Sequence, residues 1–295
     1  MTQQEKYNIA LENFTNKVKC DPNVVAILLF GSLAYYDVWE NSNIDMQMIV
    51  RDGSAPASGW YTVDEDGINI HMSVIELSKF KTEFQRRRGG DFEHSLVSMG
   101  KIVFTKYETI HEFFEDIRKI GSDDAARAFR GRMHWLLNHV RKADKWISLY
   151  NNPLYAQRFL HSCCIYVAEM ELLVHREVPK REAILRAQEL NPALMHELYV
   201  IPLTTAMTVA DVRRAFGVID DFLTLHMPWW SAPVLRFLGD GEIKTISQIS
   251  RQCGSCDIDY LVRKGIVGRA ALPSRVFKRS ALTVEEAAYY LIEGE

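Results

Sequence analysis

Long apolar runs are what this sequence most plainly lacks. No window of the 295 residues approaches the roughly 18 uninterrupted apolar positions of a membrane span, and the N-terminal MTQQEKYNIALENF carries acids where a leader would have an apolar core. A cytoplasmic protein with no membrane partner is therefore expected. A strong charge excess is also missing: the formal net charge is -3 and the pI about 6.3, so no global field favours nucleic acid, and any basic surface has to be local. Repeats and low-complexity tracts do not occur. Cysteine is sparse, five in all, an odd number that reads as reduced thiols in a chain without an export signal. Cys253-Gly-Ser-Cys256 has half the spacing of a zinc site, but no second Cys or His pair lies nearby in the sequence, and a turn is the simpler reading.

What remains is an ordinary globular composition, 47% hydrophobic and 25% charged, long enough for two or three domains. Residues 4 to 20 place apolar side chains at helical spacing until Asp21-Pro22 stops them. VVAILLF (24 to 30) and IDMQMIV (44 to 50) read as strands, and RDGSAPASG (51 to 59) as a loop. WYTV and INIHMSVI, joined through Asp-Glu-Asp-Gly, read as a hairpin with Asp-Gly at its turn. Alternation puts Ile44, Met46, Met48 and Val50 on one face and Asn43, Asp45 and Gln47 on the other. Asn69, His71 and Ser73 oppose Ile68, Ile70, Met72 and Val74 in the same way. If these strands are neighbours, Asn43, Asp45, Gln47, Asn69 and His71 share one polar face.

From about residue 107 to 228 the pattern changes to long helices, punctuated by Pro153, Pro179 and Pro192, which suggests an antiparallel helical domain. His134, His139, His161 and His175 stand among apolar residues, the setting of structural histidines. After MPWWSAPVLRFL come a short helix (TISQIS), the CGSC turn, a second helix (DIDYLVRKGIV) and a strand-like arm (GRAALPSRVF). TVEEAAYYLIE, opened by Thr283 and acids, reads as a closing helix. That order resembles a winged-helix module. Between Arg236 and Arg279 nine Lys or Arg stand against four acids, a local footprint for nucleic acid, although Asp257 and Asp259 on the second helix would oppose phosphates. Arg86-Arg87-Arg88-Gly89-Gly90 is a further basic run, of the kind found in solvated loops.

The chemistry concentrates in FGSLAYYDVWENSNIDMQMIV, residues 30 to 50. A strand that delivers Gly31-Ser32 to a helix start suits phosphate, because glycine lets the backbone approach and free amides with a hydroxyl can hold oxygens. The strand, Gly-Ser, ten or so residues and then Ser42-Asn43-Ile44-Asp45 resemble the DNA polymerase β-type nucleotidyltransferase superfamily, most of all its aminoglycoside-nucleotidyltransferase-like branch. Gly31, Ser32, Ser42, Ile44 and Asp45 match that pattern, and the likeness extends to about residue 225.

The resemblance, with the winged-helix-like order of the last 65 or so residues beside it, implies an α+β fold with three parts. These are a nucleotidyltransferase-type mixed sheet with helices (1–120), an antiparallel helical domain (121–228) and a small winged-helix-like unit (229–295). It also implies three carboxylates holding two Mg2+ on a nucleoside triphosphate, with the metals activating an attacking hydroxyl. Here the chain departs from the pattern. Asn43 takes the first aspartate's place, and Asn69 or His71 the third carboxylate's. Leu33 stands where the family often has a basic residue, and Tyr36 where it often has glycine. Asp37, Glu40 and the Asp64-Glu65-Asp66 turn are candidate substitutes.

The expected catalytic residues are thus Asp45 and His71, with Gly31, Ser32 and Asn43 binding the nucleotide and Asp45 any metal. The leading expectation is a nucleotidyltransferase-like protein with a degenerate two-metal site that binds a nucleotide or small ligand with weak or no transfer. The alternatives are an active enzyme passing a nucleoside monophosphate to a small-molecule hydroxyl with Mg2+, and a ligand-sensing regulator whose tail binds nucleic acid or a protein.

Overall fold

The computed structural model describes residues 1–35, 38–86, 90, 92–275, 277 and 281–292, with the side chains of 84–86, 92 and 93 excepted. Tyr36, Asp37, Arg87, Arg88, Gly89, Lys278 and Arg279, singled out above, lie outside the described residues, as does the Arg86 side chain. The chain forms two compact units, Met1–Ile120 with Val178–Arg181, and Gly121–Glu177 with Glu182–Glu295.

The first unit is built on a five-stranded sheet of order β3-β4-β2-β1-β5. Helix α1 (Gln3–Val18) starts at a capping box in which Thr2 and Glu5 satisfy each other's backbone amides. Strand β1 (Val24–Phe30), buried at every position, lies between β2 (Ile44–Val50) and β5 (Lys101–Thr105), antiparallel to both. The short α2 (Gly31–Tyr35) follows β1 directly. β3 (Trp60–Glu65) and β4 (Ile68–Glu76) form the expected hairpin. Its turn residues Asp66 and Gly67 take φ values of 54° and 81°, the left-handed geometry of a type I′ connection. β4 then pairs with β2 in parallel.

Each face of this sheet has its own core. Leu29, Ile44, Met46 and Met72 pack against Tyr7, Ala10 and Phe14 of α1 and Leu33 of α2. On the other face, Leu28, Phe30 and Ile49 meet three helices, through Phe80 of α3 (Leu77–Arg86), Val97 of α4 (Phe92–Ser98) and Phe114 of α5 (Glu108–Ile117).

The second unit opens with the antiparallel pair α6 (Ser122–Tyr150) and α7 (Pro153–Val174). Asn151, at φ 47°, ends the first helix in the left-handed region, and Asn152 caps the second ahead of Pro153. Then follow α8 (Ala183–Leu190), α9 (Pro192–Met195), a π-helical turn at His196–Val200, α10 (Ile201–Thr204), α11 (Val209–Leu225), α12 (Met227–Trp230) and α13 (Ala232–Leu238). The final elements are β6 (Lys244–Thr245), α14 (Ile246–Cys253), α15 (Ile258–Arg263), β7 (Val267–Arg275) and β8 (Thr283–Leu291), with sheet order β6-β8-β7.

β8 corrects the sequence reading, which expected a closing helix over TVEEAAYYLIE. Glu and Ala favour helix, but a continuous antiparallel register from Arg275↔Thr283 to Val267↔Leu291 satisfies the backbone of the whole segment. Ala288 and Tyr289 are buried in the sheet form.

Two of the histidines set among apolar residues in the second unit hydrogen-bond to carbonyls. His139 Nδ1 lies 2.9 Å from the Trp135 carbonyl oxygen and His161 Nε2 2.7 Å from that of Pro202. The CGSC segment turns at Gly254, φ 78°, and burial pushes the Cys256 thiol up to about 12. A thiol held protonated in this way is not a ready metal ligand. No helix among the described residues is long and apolar enough to cross a membrane.

Candidate functional site

The parallel pairing of β2 with β4 sets Asp45 beside His71 and Gln47 beside Ser73, so the polar face expected from alternation does assemble. His71 Nδ1 is 3.8 Å from Asp45 Oδ1, with both side chains about half exposed. Burial raises the Asp45 pKa, opposed by the charges of His71 and, less strongly, Arg181.

Gly31 lies against the same carboxylate. Its φ of +68° is in the left-handed region, and a Cβ built there would come within 2.5 Å of Asp45 Oδ2. Glycine is required twice over, for the turn out of β1 and for the space the carboxylate occupies. Ser32 follows it in α2 and is partly buried. The loop into β2 is fixed by reciprocal bonds between Trp39 and Ser42, and by the Tyr7 hydroxyl, which donates to the Ser42 carbonyl at 2.6 Å. Asn43, partly buried, stands one residue before β2.

Two features depart from the sequence reading. The polar face is not open along its length: Gln47 is only 8% exposed, two residues before Ile49, which packs with Phe80, Val97 and Phe114. The Asp64-Glu65-Asp66 turn, a candidate source of a replacement carboxylate, is engaged elsewhere. Glu65 is buried and takes two hydrogen bonds from Lys17, at 2.6 and 2.8 Å. Asp64 accepts from the Gly67 amide and Asp66 from Asn13. Glu40 lies exposed in the loop before β2. Among the described residues no group of three or more His, Cys, Asp or Glu side chains is arranged to hold a metal ion.

Arg181 is the residue the sequence reading missed. It belongs to Val178–Arg181, a segment between α7 and α8 that packs into the first unit, where its charge bears on Asp45. No local pattern could have signalled this, since the relation spans more than a hundred residues.

The sequence matches no protein-family model, and no curated protein matches it. Among solved structures, a nucleotidyltransferase-like protein from Exiguobacterium sibiricum 255-15 is similar over 96% of this chain and 99% of its own, with a TM-score of 0.61 at 14% identity. A spectinomycin adenyltransferase from Enterococcus faecialis, crystallised with ATP and spectinomycin, aligns over 76% of this chain and all of its own at 13% identity. Its TM-score of 0.33 is too low to bear on the argument. The mixed sheet with its helices is thus a nucleotidyltransferase-like α+β fold, shared along essentially the whole chain with the Exiguobacterium structure.

Proposed function

We propose that this chain is a nucleotidyltransferase-like protein whose cleft at Gly31, Ser32, Asn43, Asp45 and His71 binds a nucleotide or small ligand with weak or no nucleotidyl transfer. The observation that carries this reading is the packing of Asp45 against Gly31 with His71 as its ladder neighbour. On this reading the packing of the turn against the carboxylate is that of a nucleotidyltransferase-type site, with an imidazole and a carboxamide at the adjoining positions.

That donor set does not fit a pair of Mg2+ ions. Magnesium asks for hard, largely anionic oxygen in octahedral geometry, and one carboxylate whose protonated form is favoured by burial supplies little of it. The positive charge that bears on Asp45 comes from His71 and, less strongly, Arg181, the sign a phosphate would meet there.

Thermal-shift titration with ATP, GTP, CTP and UTP, each with EDTA or with Mg2+, tests the reading. A shift that persists in EDTA and is lost in Asp45→Ala and Arg181→Ala supports it; at a hundredfold excess over Kd, binding raises stability by about 2.7 kcal/mol. No shift with any nucleotide refutes the nucleotide form of the reading. A strictly Mg2+-dependent shift, with pyrophosphate released in the presence of an acceptor, favours the working transferase instead.

A third reading makes the C-terminal segment a nucleic-acid-binding tail. The order β6, α14, α15, β7, β8 with sheet order β6-β8-β7 is consistent with a winged-helix-like unit from 229 to 295. Its second helix, which would have to read bases, has its polar groups turned to its own unit. Asp257 pairs with Arg141 of α6 at 2.9 Å, while Lys264 and Tyr260 bond Asp220 of α11 at 2.8 and 2.9 Å. Buried Arg130 of α6 also donates to the carbonyls of Trp230 and Cys253. These contacts favour a tail that braces the helical layer over one that binds DNA.

A further inference from the structure

Helix α1 turns two faces to the first unit. Tyr7, Ala10 and Phe14 pack into the core, while an adjoining stripe at helical spacing, with Leu11, Glu12, Thr15 and Lys19, borders a groove of about 400 Å3. The other wall of the groove is Val103 and Phe104 of β5. A bulge sets this wall. In the ladder with β1, Phe104 pairs with Ile27 and Ile102 with Leu28, which leaves Val103 as the extra residue. Val103 and Phe104 consequently both pack on the α1 side of the sheet, while Ile102 packs on the opposite side. Strand β5 is partly buried at all five positions, with β1 on one flank and, among the described residues, no strand on the other. An apolar edge strand beside an unfilled groove is a template for one more strand.

The charges on the stripe indicate which strand. Glu12 and Lys19 stand about 5 Å along the helix on either side of the midpoint between Thr15 and Asn16. Among the described residues neither has an ion-pair partner. A two-fold axis beside that midpoint exchanges the two positions, so that each Glu12 faces the partner's Lys19 across the groove. The stripe is thus complementary to itself, as an isologous contact requires.

We propose that β5 pairs antiparallel with the β5 of a second copy of this chain and joins the two five-stranded sheets into one. A two-fold axis perpendicular to the sheet keeps both α1 helices on the same side, and the partner's Val103 and Phe104 fill the groove. The contact does not draw on the cleft at Asp45, so it stands or falls apart from the nucleotide reading.

Sedimentation velocity of the full-length protein, from the low to the high micromolar range, is the test. A concentration-dependent dimer is expected. Glu12→Lys and Lys19→Glu should each weaken it roughly tenfold or more, because each sets like charges across both halves of the contact. The double variant swaps the charges, restores both pairs and should associate like the parent. Glu12 is exposed and Lys19 partly so, and a melting temperature close to the parent's confirms that each variant folds. Hydrogen exchange at the amides of Lys101–Thr105 should slow as the protein concentration rises.

The proposal is overturned if the protein stays monomeric throughout, if the dimer withstands both single reversals, or if the double variant remains dissociated. A dimer whose β5 exchange does not depend on concentration would also overturn it, by placing the contact on another face.

Discussion

Replacing Gly31 with alanine puts the geometry of the site to a quantitative test, because Gly53 supplies an internal control. Both glycines are left-handed, at φ +68° and +80°, so each alanine variant should lose about 1–2 kcal/mol to the backbone conformation alone. At Gly53 nothing lies within 4 Å of the added Cβ, whereas at Gly31 it meets Asp45 Oδ2 at 2.5 Å. Ordinary carbon-to-oxygen approach is about 3.3 Å. The carboxylate must therefore swing away, at a further cost on the order of 1 kcal/mol for an off-rotamer side chain.

Gly31→Ala should accordingly be about 1 kcal/mol less stable than Gly53→Ala in urea denaturation, a difference of roughly 2–4 °C in melting temperature at this size of domain. The unfolded-state effect of adding a methyl group is common to both and cancels. The excess should vanish when Gly31→Ala is made in an Asp45→Ala background, a double-mutant coupling near 1 kcal/mol. Nucleotide shifts should weaken in Gly31→Ala and persist in Gly53→Ala. Equal losses in the two variants, or no coupling to position 45, would refute the placement of Asp45 beneath the turn.

Other expectations follow from the same contacts. Because burial raises the Asp45 pKa in the folded state, its ionisation opposes folding at neutral pH, and the associated stability is present below the unfolded value of 3.8 and lost as pH rises through the folded pKa. Asp45→Asn should thus melt higher than the parent at pH 7, with the gain shrinking as the pH falls toward 3.8. Arg130→Ala, which leaves two buried carbonyls without donors and opens a cavity, should lose about 3–5 kcal/mol in urea. Lys17→Met leaves the buried Glu65 carboxylate without its cation and should lose about 2 kcal/mol by the same measurement. In a filter-binding assay at physiological salt, Arg263→Ala should leave DNA retention unchanged; a drop would reopen the nucleic-acid reading of the tail.

The sequence was most legible where local chemistry and tertiary demand agree. The Asp66-Gly67 turn forces a hairpin in almost any context, and the apolar alternation of 44–50 and 68–76 is meaningful only if both strands share a sheet. It was misleading at 283–291, where Thr, Glu and Ala speak for a helix locally and only the distant β7 decides for a strand. At the site, Asp45 and His71 could be found because the two-residue period fixes their face. Gln47 stands on that face too, but its burial depends on helices that pattern alone does not position. Arg181 lay beyond reach for another reason: nothing in VPKR distinguishes four residues that remain with their helices from four that join another unit.

That exchange has a bearing on how the protein is made. Since Val178–Arg181 completes the first unit, the N-terminal sheet leaves the ribosome before one of its own parts has been synthesised. At elongation rates of about 5–20 residues per second the missing strip arrives seconds later, after the whole of α6 and α7 has passed. In that interval the nascent first unit lacks the Arg181 charge that bears on Asp45, so a fragment ending at residue 120 lacks part of that unit. The helical hairpin acts as the carrier that brings the last piece home.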